Sequence, residues 1–288
     1  MVRSVLVIAL ALSLAACGDS ALETELEPAE IDAQVAPPTE PEPIVEPEPD
    51  PEPAAPLPTI IGQQTEAYSV RAEFPFKLEE VAPRLGKHLR EDAELDFAQL
   101  AAMADQDAVE GGEYFRPYEL TIEWTVAGAA GDLISVEGQT YSETGGAHGN
   151  QLLEGVIHDR AKGEDISLLD LFNDPEIALE VLVPLVREQI MREKMIRYGE
   201  DGEPTSQRIV ETAESLPDHG RWLSEVILVP STEAGMIGGL KVLFSPYDIG
   251  AYVEGPYQAT VAQTGFRDVL KDEYQGLFAG EPVRGEDD

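Results

Sequence analysis

Residues 19–58 set the firmest limit on what this chain can fold into. The stretch holds 11 of the 22 prolines and 12 acidic residues, with no lysine or arginine. A segment of that composition cannot bury enough apolar surface to offset the entropy of ordering it, so it is predicted to stay disordered. Its repeated Glu-Pro pairs (Glu40-Pro41-Glu42-Pro43 and Glu46-Pro47-Glu48-Pro49) favour extended polyproline II and repel one another. At roughly 3.1 Å per residue the reach of such a spacer is on the order of 100 Å. Residues 18–58 therefore read as a Glu/Pro-rich tether, and folding is left to the chain from Thr59 onward.

Ahead of the tether, residues 1–17 read as a lipoprotein signal peptide. A lone Arg3 precedes the apolar run Val5–Ala16, which is too short to span a bilayer as a mature helix. The run closes on Leu14-Ala-Ala-Cys17, a lipobox-like ending in which Cys17 would be lipidated and become the mature N-terminus. That predicts a lipid-anchored protein on the periplasmic side of the envelope. Gly18 directly after the cysteine favours the outer over the inner membrane, and Asp19 works against that preference. Cys17 is the only cysteine, so no intramolecular disulfide can form.

Charge narrows the partners. The chain carries a formal −37. Without the tether's 12 acids and Arg3, 44 acids face 18 bases, a balance of −26 for the remainder. Such acidity disfavours nucleic acid and direct adsorption to anionic lipid, and attracts cationic partners. The same composition would also serve plain solubility.

The roughly 220 residues from Thr59 to Phe278 suffice for one α+β domain of two lobes. Tyr68-Val70-Ala72-Phe74 and Tyr118-Leu120-Ile122-Trp124-Val126 alternate with polar neighbours, and Leu133–Tyr141 follows a Gly128–Gly131 turn. A period of two with one polar face predicts antiparallel strands, wet on one side. Between the first two strands, Glu79–Val109 reads helical, with Pro83 in a first turn and Gly111-Gly112 as the stop. These elements make an N-terminal α+β lobe over 59–149. Over 150–280 a second lobe is predicted. It has strands at Leu152–His158, Trp222–Val229, Met236–Phe244 and Tyr257–Gln263, with a short closing helix at Gly265–Tyr274. Its long helix starts with Asp174 as cap and Pro175 in the first position, and Pro184 inside it predicts a kink. A surface loop is expected at Tyr198–Gln207, and residues 281–288 read as a frayed acidic tail. The fold class is α+β: antiparallel sheets with packed helices in two lobes, after the tether.

Between the lobes lies Tyr141-Ser-Glu-Thr-Gly-Gly-Ala-His148-Gly149. Gly145 and Gly146 permit positive φ or a very close backbone approach. One reading makes the loop's amides a small nest for a carboxylate, with His148 as acid, base or metal ligand. The other makes it a bulged turn with His148 bonded to a backbone carbonyl, and the absence of nearby metal-ligand spacing favours this second reading. Tyr141, Gly145, Gly146, Ala147 and His148 are the candidate binding loop. No metal or cofactor is expected.

Three blocks together carry a family resemblance: Tyr141 with Gly145-Gly146-Ala147-His148; Leu168-Leu169-Asp170-Leu171-Phe172; and Gly239-Leu240 with Phe244, Tyr247-Asp-Ile-Gly-Ala-Tyr252 and Gly255-Pro256. Over residues 65–275 the chain resembles the paired domain of unknown function shared by two envelope proteins. One is the anti-sigma factor RsiV, in its extracytoplasmic region; the other is the peptidoglycan deacetylase PdaC, in its N-terminal region. Family members often carry proline after the histidine, where Gly149 stands here. The resemblance implies an extracytoplasmic α+β module that binds protein or cell-wall material, an RsiV-like lobe over 150–280, and structural roles for Asp170, Leu171, Phe172, Tyr247, Tyr252 and Gly255. It brings no catalytic role. The chain shows neither a sigma-binding segment nor a deacetylase domain, so neither transmembrane sensing nor deacetylation is expected of it.

Catalytic patterns do not add to this. There is no nucleophile elbow, zinc-protease helix, phosphate loop or dinucleotide fingerprint. Of the four histidines, His88 reads as solvated on a helix face, His158 as part of a turn with Asp159, and His219 as a loop residue. Two functions stay open. One is a non-enzymatic lipoprotein binding a cationic protein, such as a lysozyme, or a peptidoglycan-associated ligand. The other is a wall-modifying hydrolase that uses the His148 loop.

Overall fold

The computed structural model describes residues 59–198 and 223–283, all within the compact unit Ala54–Asp288. The signal peptide, Cys17, the tether, Trp222, His219, the loop from residue 199 and the last five tail residues lie outside the described residues.

Alternation decides the first sheet. Strands β1 (Ile60–Gln64), β2 (Tyr68–Glu73), β3 (Tyr118–Ala130), β4 (Leu133–Glu143), β5 (Asn150–Asp159) and β6 (Glu164–Ile166) hydrogen-bond in chain order. In β2 the buried positions Tyr68, Val70 and Ala72 alternate with half-buried ones, as a sheet with one covered face requires. The covering element is α2 (Pro83–Gly111), preceded by the short α1 (Leu78–Val81), and Leu85, Leu89 and Leu100 pack onto Leu120, Ile122 and Trp124. Because these helices cross the sheet between β2 and β3, those two strands run parallel; every other pairing in the sheet is antiparallel. The expectation of uniformly antiparallel pairing fails at that pair for this reason.

The Gly128–Gly131 turn is narrower than predicted. β3 runs on to Ala130, and Gly128 sits inside it at a register shift. The space a side chain would need there is filled by the backbone of Leu228, whose carbonyl oxygen comes within 2.4 Å of an ideal Cβ.

A second sheet, β7 (Val226–Pro230), β8 (Ile237–Phe244) and β9 (Tyr257–Ala262), is antiparallel throughout. Helix α3 (Pro175–Tyr198) packs its Leu182, Val186 and Ile190 into the core of this sheet. Its start is built as expected: the Asp174 carboxylate accepts from Glu176 N at 2.9 Å, and Pro175 occupies the first turn. Pro184 stands inside the helix without ending it.

The sheets are joined by polar side chains that satisfy backbone donors on the facing sheet. Ser135 Oγ accepts from Leu228 N at 3.1 Å, Ser245 Oγ from Leu153 N at 2.9 Å, and Glu225 Oε2 from Gly155 N at 3.0 Å. The division expected at residue 149 falls in the β4–β5 hairpin, so the six-stranded sheet draws strands from both sides of it.

The closing helix is two 3₁₀ turns, Gln263–Gly265 and Arg267–Val269, followed by the four-residue α4 (Asp272–Gln275). The tail is not frayed at its start. Ser231 pairs with Pro282, Thr232 N donates to Glu281 O, and Val283 N donates to Pro230 O, so the chain is held through residue 283.

Candidate functional site

Loop 144–149 connects β4 to β5 and lies against the segment that follows β8. Within the loop Gly145 takes φ +76°, the left-handed conformation a glycine supplies without strain, whereas Gly146 is not in that region. The next residues turn His148 back onto the chain. Its Nδ1 donates to Gly149 O at 2.8 Å, as the structural reading of the loop expects. That bond fixes the proton on Nδ1, leaving Nε2 to accept from the Tyr247 hydroxyl at 3.3 Å.

Two residues read from the sequence as structural thus join the loop. The Tyr252 ring stacks on the His148 imidazole with centroids 3.9 Å apart, and its hydroxyl donates to Gly149 O at 2.6 Å. Tyr247 lies 5.4 Å from Tyr252, centroid to centroid. Tyr141 closes the group. Its ring occupies the space beside Gly149 where a Cβ would fall, so a larger residue there would require the exposed Tyr141 ring to move. Sequence reasoning missed this convergence, because 99 residues separate His148 from Tyr247; the Tyr247/Tyr252 block signalled importance but not location.

The surface is exposed and acidic. Tyr247 is 60% exposed and holds φ +79°, a conformation uncommon outside glycine that clusters at functional positions. Glu119 and Glu143 stand directly opposite one another on β3 and β4, a like-charge pair that costs stability. The Tyr141 hydroxyl donates to Glu143 at 3.3 Å. Partial burial, then the charge and hydrogen bond of Glu143, then Glu119, push that phenol above its usual range, so it stays a neutral donor.

A buried clasp holds Tyr252 in position. Lys194 of α3, 4% exposed, bonds Ile249 O at 2.7 Å and Glu254 Oε2 at 3.2 Å. The other oxygen of Glu254 accepts from Ala251 N at 3.0 Å, and Tyr257 OH donates to Glu254 at 2.6 Å. Gly255, at φ +74°, then ends the 3₁₀ turn Tyr252–Glu254.

The remaining motif residues lie elsewhere. Asp170 caps its own turn, accepting from the Ser167 amide and hydroxyl, both at 2.8 Å, and these bonds hold its carboxyl below the usual range. Leu171 and Phe172 are fully buried in the core. Ala147 is an exposed loop residue.

His88 is exposed on α2 as expected, but it is not without partners. Its Nδ1 meets Asp165 at 2.8 Å and its Nε2 meets Asp92 at 3.0 Å, while the buried His158 bonds the other oxygen of Asp165 at 2.7 Å. One carboxylate therefore ties α2 to the β5–β6 hairpin. Among the described residues no group of three or more His, Cys, Asp or Glu side chains is arranged to hold a metal. None of their helices is long and apolar enough to cross a membrane.

Fold and site define an α+β domain of two packed sheets, with an exposed tyrosine–histidine surface at their shared edge. Residues 169–263 match a family described as a protein of unknown function, DUF3298. A solved DUF3298 family member from Bacteroides fragilis NCTC 9343 is 15% identical over 76% of this chain and 94% of its own, with a TM-score of 0.51. A DUF3298 family protein from Pseudomonas aeruginosa PAO1 is 17% identical over 82% and 99%, with a TM-score of 0.47. At these identities the first likeness speaks to the fold alone. No curated protein matches. The expected resemblance to a domain of unknown function is borne out, while the link to RsiV and PdaC rests on the motif blocks quoted above.

Proposed function

We propose that this chain is a bacterial cell-envelope lipoprotein, anchored through Cys17 on the periplasmic side, whose acidic domain captures a cationic partner on the Tyr141–His148–Tyr247–Tyr252 surface. The observation that carries the reading is that cluster of exposed rings beside the opposed carboxylates of Glu119 and Glu143. An ammonium or guanidinium over a tyrosine face gains about 0.5–1 kcal/mol when exposed and about 2 kcal/mol when desolvated. The charge of −37 would steer such a partner toward the domain. A basic protein, for example a lysozyme, or an amine-bearing wall-associated ligand has the matching chemistry.

The hydrolase alternative is less well supported. His148 commits both ring nitrogens, to Gly149 O and to Tyr247 OH, and no described carboxylate bonds it. A general base needs a free lone pair within reach of substrate and, in most arrangements, a third group to orient it.

Two experiments test the proposal. Changing Cys17→Ser should release the protein from the membrane fraction or leave it unprocessed, and unchanged mature protein in that fraction would contradict anchoring. Envelope extract passed over immobilised wild type and a Tyr247→Ser/Tyr252→Ser variant should leave basic proteins on the wild type alone. Equal retention by both would contradict the assignment of the surface.

A further inference from the structure

The other side of loop 144–149 borders a different feature. An open cleft of about 640 Å³ lies between the loop and the C-terminal end of α2. That volume is within the roughly 300–1,000 Å³ of small-molecule sites. Its chemistry is divided.

Asp107 and Glu110 line the cleft, three residues apart and so on one face of α2. Asp107 accepts a 2.5 Å hydrogen bond through one of its two oxygens from the hydroxyl of Tyr118, a residue only 8% exposed. The C-terminal carbonyls of α2 add partial negative charge at the same end. Arg116 lines the same cleft. In a chain with 56 acidic residues this arginine makes no hydrogen bond or ion pair to any described residue. Its Cβ lies 3.9 Å from where a Cβ on Gly145 would be, so it stands beside the Gly145–Gly146 backbone, whose amides also donate to no described acceptor. Phe115 and Tyr118, with centroids 5.5 Å apart, and the 93% exposed Tyr114 supply the apolar part of a lining that is otherwise mostly polar.

We propose that this cleft binds a short peptide with both ends free: Arg116 and the Gly145–Gly146 amides receive its carboxylate, Asp107 and Glu110 receive its ammonium group, and the rings cover the chain between. The presence of both signs of charge in one lining selects this ligand over a simple cation or anion, since either ion alone would also meet like charge. A guanidinium suits a planar carboxylate, which it grips with two parallel bonds. The site is separate from the tyrosine–histidine surface and does not rest on the function proposed for it.

The probe is unblocked tri-alanine, titrated into the full chain by ¹⁵N NMR, beside its N-acetylated and C-amidated forms. The free peptide should shift the amides of Arg116, Gly145 and Gly146, and each blocked form should bind about tenfold more weakly, as loss of one charge-assisted bond requires. In Arg116→Gln the free acid and the amide should bind alike. In Asp107→Asn, which keeps an acceptor for Tyr118, the free amine and the acetylated form should bind alike. Arg116 is exposed, so its variant should fold as wild type does. Absence of shifts at those amides, or equal affinity of blocked and free peptides for wild type, would overturn the proposal.

Discussion

Glu154 is held against its own ionisation. Burial first, and the charge of Glu225 second, raise its carboxyl above the usual glutamate range, and a Thr140 hydrogen bond only partly offsets them. A raised carboxyl binds its proton more tightly in the folded chain than in the unfolded one. Stability therefore falls as pH rises from the ordinary glutamate value through the folded one, and the cost is complete above the folded one. Glu154→Gln should melt above wild type at neutral pH and level with it near about pH 4; a lower melting temperature at neutral pH would count against this. The two loop glycines are expected to differ. Gly145→Val, forced into φ +76°, should lose about 1–3 kcal/mol in chemical denaturation. Gly146→Ala, whose Cβ would meet nothing closer than 3.9 Å, should stay within about 0.5 kcal/mol of wild type. At this scale the sequence announced the loop, His148 and its carbonyl bond, because glycine pairs and histidines are locally legible. The burial of Glu154 and the paired state of His88 were not, since both depend on partners from other elements.

At the scale of elements, β2 through β5 and β7 through β9 were legible within a few residues; burial alternates with period two in β2, β3 and β9, whereas β7 and β8 are buried along nearly their whole length. β1 escaped notice: Ile60-Ile-Gly-Gln-Gln64 has no alternation, and edge pairing with β2 rather than burial makes it a strand. β6 is three residues long and offers no period at all. Nor could pattern reveal the clasp between α3 and the segment after β8. Lys194 and Glu254 are buried together, and removing one partner of a buried pair costs about 3–5 kcal/mol. Lys194→Met should cost that much in equilibrium unfolding. It should also loosen Tyr252, visible as lost protection of the Ala251 and Glu254 amides in hydrogen exchange. A loss under about 1 kcal/mol with protection unchanged would show that the clasp does not hold the platform.

On the scale of the whole molecule, charge and aromatic display point the same way. The chain carries −37, places Glu119 opposite Glu143 despite the cost, and leaves Tyr247 and Tyr141 open beside them. The acidity could be read from composition and the rings from their motif blocks; that both meet at one edge is a property of the hairpin between β4 and β5 and of the clasp behind Tyr252. The most direct measurement is the affinity of the full chain for lysozyme across a salt series, for wild type and for Tyr247→Ala/Tyr252→Ala, with lysine-acetylated lysozyme as control. Binding should weaken steeply as salt screens the opposed charges, should weaken by about tenfold or more in the double variant, and should largely vanish with the acetylated protein. Binding indifferent to salt, equal in wild type and double variant, or absent altogether would contradict a cation-capturing surface at this site.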